Sequence, residues 1–88
     1  MKTVSTDKAP AAIGPYSQAK IAGGLVFTSG QIPVNPATGI IEAHDVAGQT
    51  EQSCKNVKAL LAAAPSSIDK VIKTVSFLAD IKDFTAFN

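Results

Sequence analysis

The sequence predicts an α+β fold, with a mixed or antiparallel sheet and two helices on one face of it. Two observations lead to this prediction. Short β-branched and aromatic runs come first in the chain, and a long stretch of helical periodicity follows them. The 88 residues are 45% hydrophobic, with a mean hydropathy of +0.18, which indicates one folded domain over residues 1–88 rather than a disordered chain.

The first third of the chain predicts three strands. Met1–Ser5 alternates weakly and is typical of a short edge strand. Tyr16–Ala22 predicts a second strand and Leu25–Gln31 a third, the latter with β-branched and aromatic character. Between them, Gly23 and Gly24 predict a tight hairpin turn.

A turn is predicted at Asn35–Gly39, and a helix begins after it with Asp45 as its N-cap. One stripe of the helix steps by three or four residues and should face the core; it comprises Val46, Thr50, Cys54, Val57, Leu61 and Ala64. Polar residues lie largely away from this stripe, namely Gln49, Glu51, Gln52, Lys55 and Lys58. Pro65 ends the helix because proline cannot continue it.

The last part of the chain predicts one more strand and the start of a second helix. Val71–Ala79 is rich in β-branched and aromatic residues, as a strand would be. Asp80 or Asp83 then caps a helix on which Phe84 and Phe87, three residues apart, should face the core.

The charge composition argues against nucleic acid as a partner. Eight Lys and seven acidic residues give a net charge of +1, and the chain contains no Arg. The start, Met1–Ser5, lacks an apolar signal core, and no apolar run is of transmembrane length, so we expect a cytoplasmic protein without a membrane partner. The single Cys54 excludes a disulfide within the chain and fits a reducing compartment.

The residue types give little support for metal or covalent chemistry. One His and one Cys cannot supply the usual nitrogen and sulfur ligands, so we expect no metal site. A triad of Ser29, His44 and Asp45 can be written on paper, but no geometric reason favours it. Cys54 is interpreted as a small buried core residue rather than a nucleophile.

Small and neutral polar residues end the third predicted strand. Gly30 has no side chain, so a ligand can approach the main chain there. Ser29 and Gln31 offer uncharged donors and acceptors beside it. From these residues alone, a strand that runs into a loop is the favoured interpretation.

Longer motifs resemble a known family. The stretches IGPYSQA at residues 13–19 and FTSGQIPVNPATG at 27–39 are similar to those of the Rid family, also called the YjgF family. QSCKNV at 52–57, KTVSFLAD at 73–80 and DFTAFN at 83–88 extend the resemblance along the whole chain, in order and with the family's spacing.

The resemblance implies a fold and an activity. Family members are reactive-intermediate deaminases with a chorismate-mutase-like fold, which hydrolyse 2-enamine or 2-imino acids such as 2-iminobutanoate and 2-iminopropanoate to 2-keto acids and ammonia. It implies no cofactor, and a homotrimer with sites between subunits. It also implies that Tyr16 is catalytic, orienting a water or a substrate group, and that Ser29, Gly30 and Asn88 bind substrate. The alternative for Tyr16 is a tyrosine at the edge of the core, and that for Ser29 and Gly30 is the end of a strand. The alternative for Asn88 is a polar residue on a helix face.

This chain also departs from the family. A family Arg that clamps the substrate carboxylate, a late Glu and the last strands lie in a C-terminal segment beyond Asn88, so the resemblance implies an incomplete chain that is inactive alone and a full-length form that is an enzyme. Pro65 stands where the family usually carries Gly. Two other functions stay open: a non-catalytic small-ligand or protein-binding member of the fold, and a translation-inhibitor or ribonuclease-type relative.

Overall fold

The computed structural model describes all residues from Met1 to Asn88 and has the predicted α+β architecture. Its regular elements are β1 (Lys2–Val4), β2 (Ala19–Ala22), β3 (Leu25–Thr28), α1 (Val46–Ala63) and α2 (Phe84–Phe87). Two single 3-10 turns lie between the helices, at Ile68–Lys70 and Ile81–Asp83. No helix combines the length and the apolar character needed to cross a membrane.

The three strands form one antiparallel sheet in the order β1-β2-β3. Gly23 and Gly24 both have positive φ, which closes the predicted hairpin between β2 and β3. Ala19, the first residue of β2, lies opposite both Val4 and Thr28. The three strands therefore end level with one another at this end of the sheet. Here β2 begins later than predicted and β3 ends earlier than predicted.

The core forms between one face of this sheet and α1. Val4 and Ala19 pack with Ala64 at the end of α1, and Ile21 and Val26 pack against this cluster. Their positions follow the two-residue period of a strand, which places alternate side chains on the same face. Eight of the 88 residues are buried, so few apolar contacts hold the elements together and the buried polar contacts matter more.

α1 begins as predicted, because the Asp45 side chain accepts a hydrogen bond of 2.9 Å from the Gly48 N–H. Leu61 and Ala64 of the predicted stripe are buried, but the buried face extends toward Asn56 rather than toward Cys54. Asn56 and Leu60 are fully buried, whereas Cys54 is exposed. The prediction of Cys54 as a core residue was therefore wrong. Hydrogen bonds of the Asn56 amide to the chain before the helix select this face, and hydrophobic periodicity does not register them.

The predicted strand at Val71–Ala79 is not formed. The segment pairs with no other strand, and its apolar side chains are exposed, Phe77 to 93% and Ile72 to 83%. A β-branched, aromatic composition favours extended backbone, but a strand exists only where a partner supplies the other half of the hydrogen-bond ladder. No such partner lies beside this segment.

The second helix is a single turn packed against α1. Asp80, one of the two predicted caps, accepts a hydrogen bond from the Lys82 N–H, and the chain enters α2 through a 3-10 turn. The rings of Phe84 and Phe87 lie 6.5 Å apart. Phe84 is 53% exposed, so the prediction that both rings face the core was wrong for Phe84, because this short helix has too little neighbouring structure to cover it.

Candidate functional site

Tyr16 lies in the loop that leads into β2. Gly14 takes a φ of +141°, which glycine adopts readily, and Pro15 follows it. The Tyr16 N–H donates to the Gly14 carbonyl at 2.9 Å, and the phenol oxygen accepts a long hydrogen bond of 3.4 Å from the Ile13 N–H. The ring is 51% exposed. The phenol proton has no acceptor, so it is available to a ligand or a water.

A cleft of about 330 Å³ opens beside this ring. It is bounded by β1, the residues that follow β1 and the loop before β2; its lining comprises Thr3, Val4, Ser5, Thr6, Ala11, Ala12, Tyr16, Ser17 and Gln18. All of these side chains are uncharged. The cleft can therefore offer hydrogen bonds to a small polar molecule, but no counter-charge from this chain's own lining.

Ser29 lies directly after β3, at the edge where the sheet ends. Its N–H and its hydroxyl both donate to the Gln18 carbonyl, each at 3.0 Å. The Gln31 amide nitrogen reaches the Ser29 and Gly30 carbonyls, each at 3.3 Å. The Ser29 hydroxyl proton is thus already used within the chain. Its oxygen accepts only a long hydrogen bond of 3.5 Å from the Gln31 amide, so it retains acceptor capacity for another group.

Gly30 is exposed, and a Cβ built on it meets no atom within 4 Å. Apart from its two sequence neighbours, no residue of this chain therefore occupies the position of a side chain at Gly30. The space that a side chain would fill is open, which leaves room for a ligand beside Ser29.

Asn88 lies apart from these residues in the fold. Its N–H donates to the Phe84 carbonyl at 2.8 Å and ends α2, and its side chain is exposed. Asn88 does not line the cleft beside Tyr16. The structure thus links Tyr16 and Ser29 through Gln18, and places Asn88 on a different element.

Two buried amides at these junctions were missed by sequence reasoning. Gln18 is 5% exposed and Asn56 is 1% exposed, and both bind main-chain groups of other segments. The burial of Asn56 could have been predicted from its spacing of four residues before Leu60. The burial of Gln18 could have been predicted from its position next to an apolar strand. A third amide atom, Gln31 Oε1, is buried without a hydrogen-bond partner.

Two residues of the triad considered from sequence, Ser29 and Asp45, have other hydrogen-bond partners, and the third is exposed. Asp45 caps α1, the Ser29 hydroxyl donates to Gln18, and His44 is exposed. No group of three or more His, Cys, Asp or Glu side chains is arranged to hold a metal ion. The geometry therefore provides no support for a Ser-His-Asp nucleophile.

A second cleft, of about 250 Å³, lies beside the first half of α1. Glu42 and Glu51 contribute carboxylates to it, and Lys55 forms an exposed i,i+4 ion pair with Glu51 at 3.6 Å. The Asn35 amide donates to Glu42. None of the four site residues predicted from sequence lines this cleft.

Comparison with known proteins gives consistent matches. The sequence profile of the family described as Endoribonuclease L-PSP matches residues 6–88. A Lactococcus lactis protein named as a candidate regulator, AldR, is 53% identical over 88 residues, covering 100% of this chain and 70% of that protein. An Escherichia coli 2-iminobutanoate/2-iminopropanoate deaminase is 51% identical over 87 residues, covering 99% of this chain and 67% of the deaminase.

A solved structure extends the agreement to three dimensions. The crystal structure of E. coli TdcF with bound serine matches with a TM-score of 0.94 at 48% identity, covering 99% of this chain and 68% of that one. The chain thus spans about two thirds of the length of that protein. With the profile matching nearly every residue and relatives at 51–53% identity, the chain belongs to the Rid family.

Proposed function

We propose that the protein hydrolyses 2-imino acids and their enamine tautomers to 2-keto acids and ammonia. The observation that carries this proposal is the 51% identity over 87 residues to the E. coli protein named 2-iminobutanoate/2-iminopropanoate deaminase. The serine bound to E. coli TdcF adds support, since serine carries a carboxylate beside an amino-bearing carbon, as the proposed substrates do.

The reaction requires a water and proton transfers. The water oxygen bonds to the imine carbon while the C=N π electrons move to nitrogen, and transfer of one proton of that water to the nitrogen gives a carbinolamine. A proton reaches the nitrogen, the C–N bond breaks to release ammonia, and loss of the hydroxyl proton leaves the keto group. Because the imine carbon is already electrophilic, the protein needs chiefly to hold substrate and water in line and to move protons.

Two side chains suit these tasks in different ways. Tyr16 has a free phenol proton and borders the uncharged cleft, so in this proposal it orients the water or a substrate group. Ser29 uses its hydroxyl proton on Gln18, so it acts as an acceptor for an N–H or a water. Gly30 leaves the space beside it open, and Asn88 binds a carboxylate or a water.

The proposed site lies between subunits of a homotrimer. The cleft beside Tyr16 has no charged lining, so a counter-charge for the substrate carboxylate has to come from outside that lining. Leu25 and Phe27 of β3 and Phe77 are exposed apolar side chains that a neighbouring copy would cover. Sedimentation equilibrium tests this assembly, and a fully active monomer would refute it.

Trapping with semicarbazide tests the reaction itself. A serine or threonine dehydratase generates the imine, and semicarbazide captures whatever has not been hydrolysed. The protein, produced from its complete reading frame, should lower the trapped fraction and speed the release of pyruvate or 2-oxobutyrate. An unchanged trapped fraction would refute the deaminase proposal.

A ligand-binding role without catalysis is the second candidate. The observation that favours it is the 53% identity to the L. lactis protein named as a candidate regulator. Calorimetry with serine or a 2-keto acid, combined with an unchanged trapped fraction, would support this second role.

A further inference from the structure

Gln18 carries an unusual concentration of hydrogen bonds for one side chain. Its Nε2 donates to the carbonyls of Pro10 at 2.8 Å, Thr6 at 3.0 Å and, more weakly, Ala9 at 3.4 Å. Its Oε1 accepts from the Thr6 N–H at 2.7 Å. The side chain is buried, and its donors and its acceptor are both engaged. Gln18 thus fixes the course of residues 6–10, a segment that forms no regular structure of its own.

The main chain of the same residue fixes Ser29. The Gln18 carbonyl accepts both the N–H and the hydroxyl of Ser29, which continues the β2–β3 pairing by one residue beyond Ala19 and Thr28. The direction of the Ser29 hydroxyl is therefore set by Gln18. Any movement of Gln18 alters which way the remaining Ser29 lone pairs face.

The segment held by Gln18 also leads to the wall of the cleft beside Tyr16. Residues 6–10 run directly into Ala11 and Ala12, which line that cleft with Gln18 itself. The Ile13 N–H then bonds the Tyr16 phenol oxygen. One buried residue therefore connects the two proposed functional side chains. Its main-chain carbonyl holds the strand end that carries Ser29, and its side-chain amide holds the segment that leads to the loop against which Tyr16 rests.

We infer that Gln18 is a positioning residue, which sets the placement of Tyr16 relative to Ser29 for the proposed imine hydrolysis. The expected effect of Gln18 on kcat rests on the proposed function, whereas its effect on the placement of Tyr16 does not. Without the Gln18 amide, residues 6–10 lose four hydrogen bonds and the cleft wall is free to shift. A displacement of about 1 Å in such a site can cost a hundredfold in rate.

The test compares Gln18→Met with Gln52→Met in the protein produced from its complete reading frame. Both substitutions replace an amide with an apolar side chain of similar length, but the Gln52 amide only donates to Asn56 on α1 and lies outside the proposed site. We expect Gln18→Met to lower kcat about tenfold to a hundredfold with KM changed less than threefold. Gln52→Met should stay within twofold of the wild type in both constants.

The second readout does not depend on activity. Tyr16 is the one tyrosine of the chain, and Tyr16→Phe identifies its NMR signals. Gln18→Met should shift the Tyr16 ring resonances, and Gln52→Met should leave them in place. If Gln18→Met does not fold, Gln18→Leu takes its place, since it also removes the amide and places no charge at this buried position.

The outcomes separate the two claims. Unshifted Tyr16 resonances, or a kcat within twofold of the wild type in the Gln18 variants, would overturn the positioning role. If the wild type shows no imine hydrolysis, the proposed function fails. Tyr16 ring resonances that shift in the Gln18 variant but not in Gln52→Met would still support the geometric link.

Discussion

The Asn56 side chain on α1 donates a hydrogen bond of 3.0 Å to the main-chain carbonyl of Val34, and a second of 3.1 Å to that of Ile32. Its Oδ1 accepts from the Gln52 amide at 2.9 Å. Asn56 is almost fully buried, so its amide is satisfied entirely by protein groups. This one side chain joins the helix to the loop that follows the β3 edge.

Replacing Asn56 should therefore destabilise the fold strongly. Asn56→Ala leaves two carbonyls and the Gln52 amide without their partner, at an expected cost of about 2–4 kcal/mol in the free energy of unfolding. Urea unfolding at 25 °C measures this cost. The control is Lys58→Ala, an exposed position of the same helix, which should change stability by less than about 0.5 kcal/mol. Equal costs for the two variants would contradict this anchoring role.

The first turn of α1 contains a second sensitive position. A Cβ added at Gly48 would lie 2.7 Å from Asp45 Oδ1 and 2.9 Å from the Ala43 Cβ. Alanine is the better helix former by about 1 kcal/mol, but here it displaces the capping carboxylate, which is itself worth about 1 kcal/mol, and adds a clash. We expect Gly48→Ala to lower the thermal midpoint.

The control for this prediction is the reverse substitution, alanine to glycine, at an open position of the same helix. Ala62→Gly, at an exposed position of α1, should also destabilise, because only helix propensity acts there. A rise in the thermal midpoint of Gly48→Ala would show that the Asp45 cap tolerates a Cβ at position 48, which would contradict this prediction.

The end of α1 predicts a stabilising substitution. The Ser66 N–H donates to the Leu61 carbonyl at 2.8 Å, as in a Schellman motif, and Pro65 between them has a φ of +24°. The proline ring favours a φ near −65°, so this conformation is strained. Glycine adopts positive φ freely and adds an N–H that can bond to Ala62.

Pro65→Gly should raise the free energy of unfolding by about 1 kcal/mol, since the relief of strain exceeds the added freedom of the unfolded chain. Differential scanning calorimetry gives the direction. Pro36→Gly is the control: Pro36 lies in a turn without positive φ, so the same exchange should destabilise there. Destabilisation by both variants would argue that Pro65 is not strained in solution.

Local signals predicted the elements whose geometry is decided by nearby residues. The Gly23-Gly24 hairpin and the Asp45 cap depend on contacts within a few positions, and both predictions are confirmed. The predicted strand at 71–79 was wrong because a strand needs a partner that composition does not specify. The predicted burial of Cys54 was wrong because one buried amide, Asn56, decided which face of α1 turns inward.

The candidate site shows the same division. Tyr16 and Ser29 were identified through motif resemblance, and their assigned roles stay predictions. What joins them, the Gln18 amide and carbonyl, depends on hydrogen bonds across eight to twelve residues of sequence, which periodicity does not contain. Asn88 is the position for which the structure adds no contact to the other three.

Gly30 offers a test of ligand space without a change in the fold. Its φ is not positive and its surroundings are open, so Gly30→Val should fold with a thermal midpoint close to that of the wild type. The added side chain occupies the space beside Ser29, so serine or 2-keto acid binding, measured by calorimetry, should be lost.

Cys54→Ala is the matched comparison for Gly30→Val. Its exposed side chain lies on α1 and has no place in the proposed site, so binding and activity should be nearly normal. If Cys54→Ala were the inactive variant and Gly30→Val the active one, the thiol would have to be reconsidered as a nucleophile.

The phenol of Tyr16 and the hydroxyl of Ser29 differ in whether their proton is still available for a hydrogen bond to a ligand. The Tyr16 proton is free, whereas the Ser29 proton is held by the Gln18 carbonyl at 3.0 Å. Tyr16→Phe should therefore lower kcat about a hundredfold, as loss of a proton-transfer or water-orienting group does, and Ser29→Ala should lower it by no more than about tenfold. Both are measured as keto-acid release from dehydratase-generated imine, with Ser66→Ala at the far end of α1 as the control. A larger loss in Ser29→Ala than in Tyr16→Phe would mean that the Ser29 hydroxyl leaves Gln18 to act on the substrate, and that the phenol serves only to pack the loop before β2.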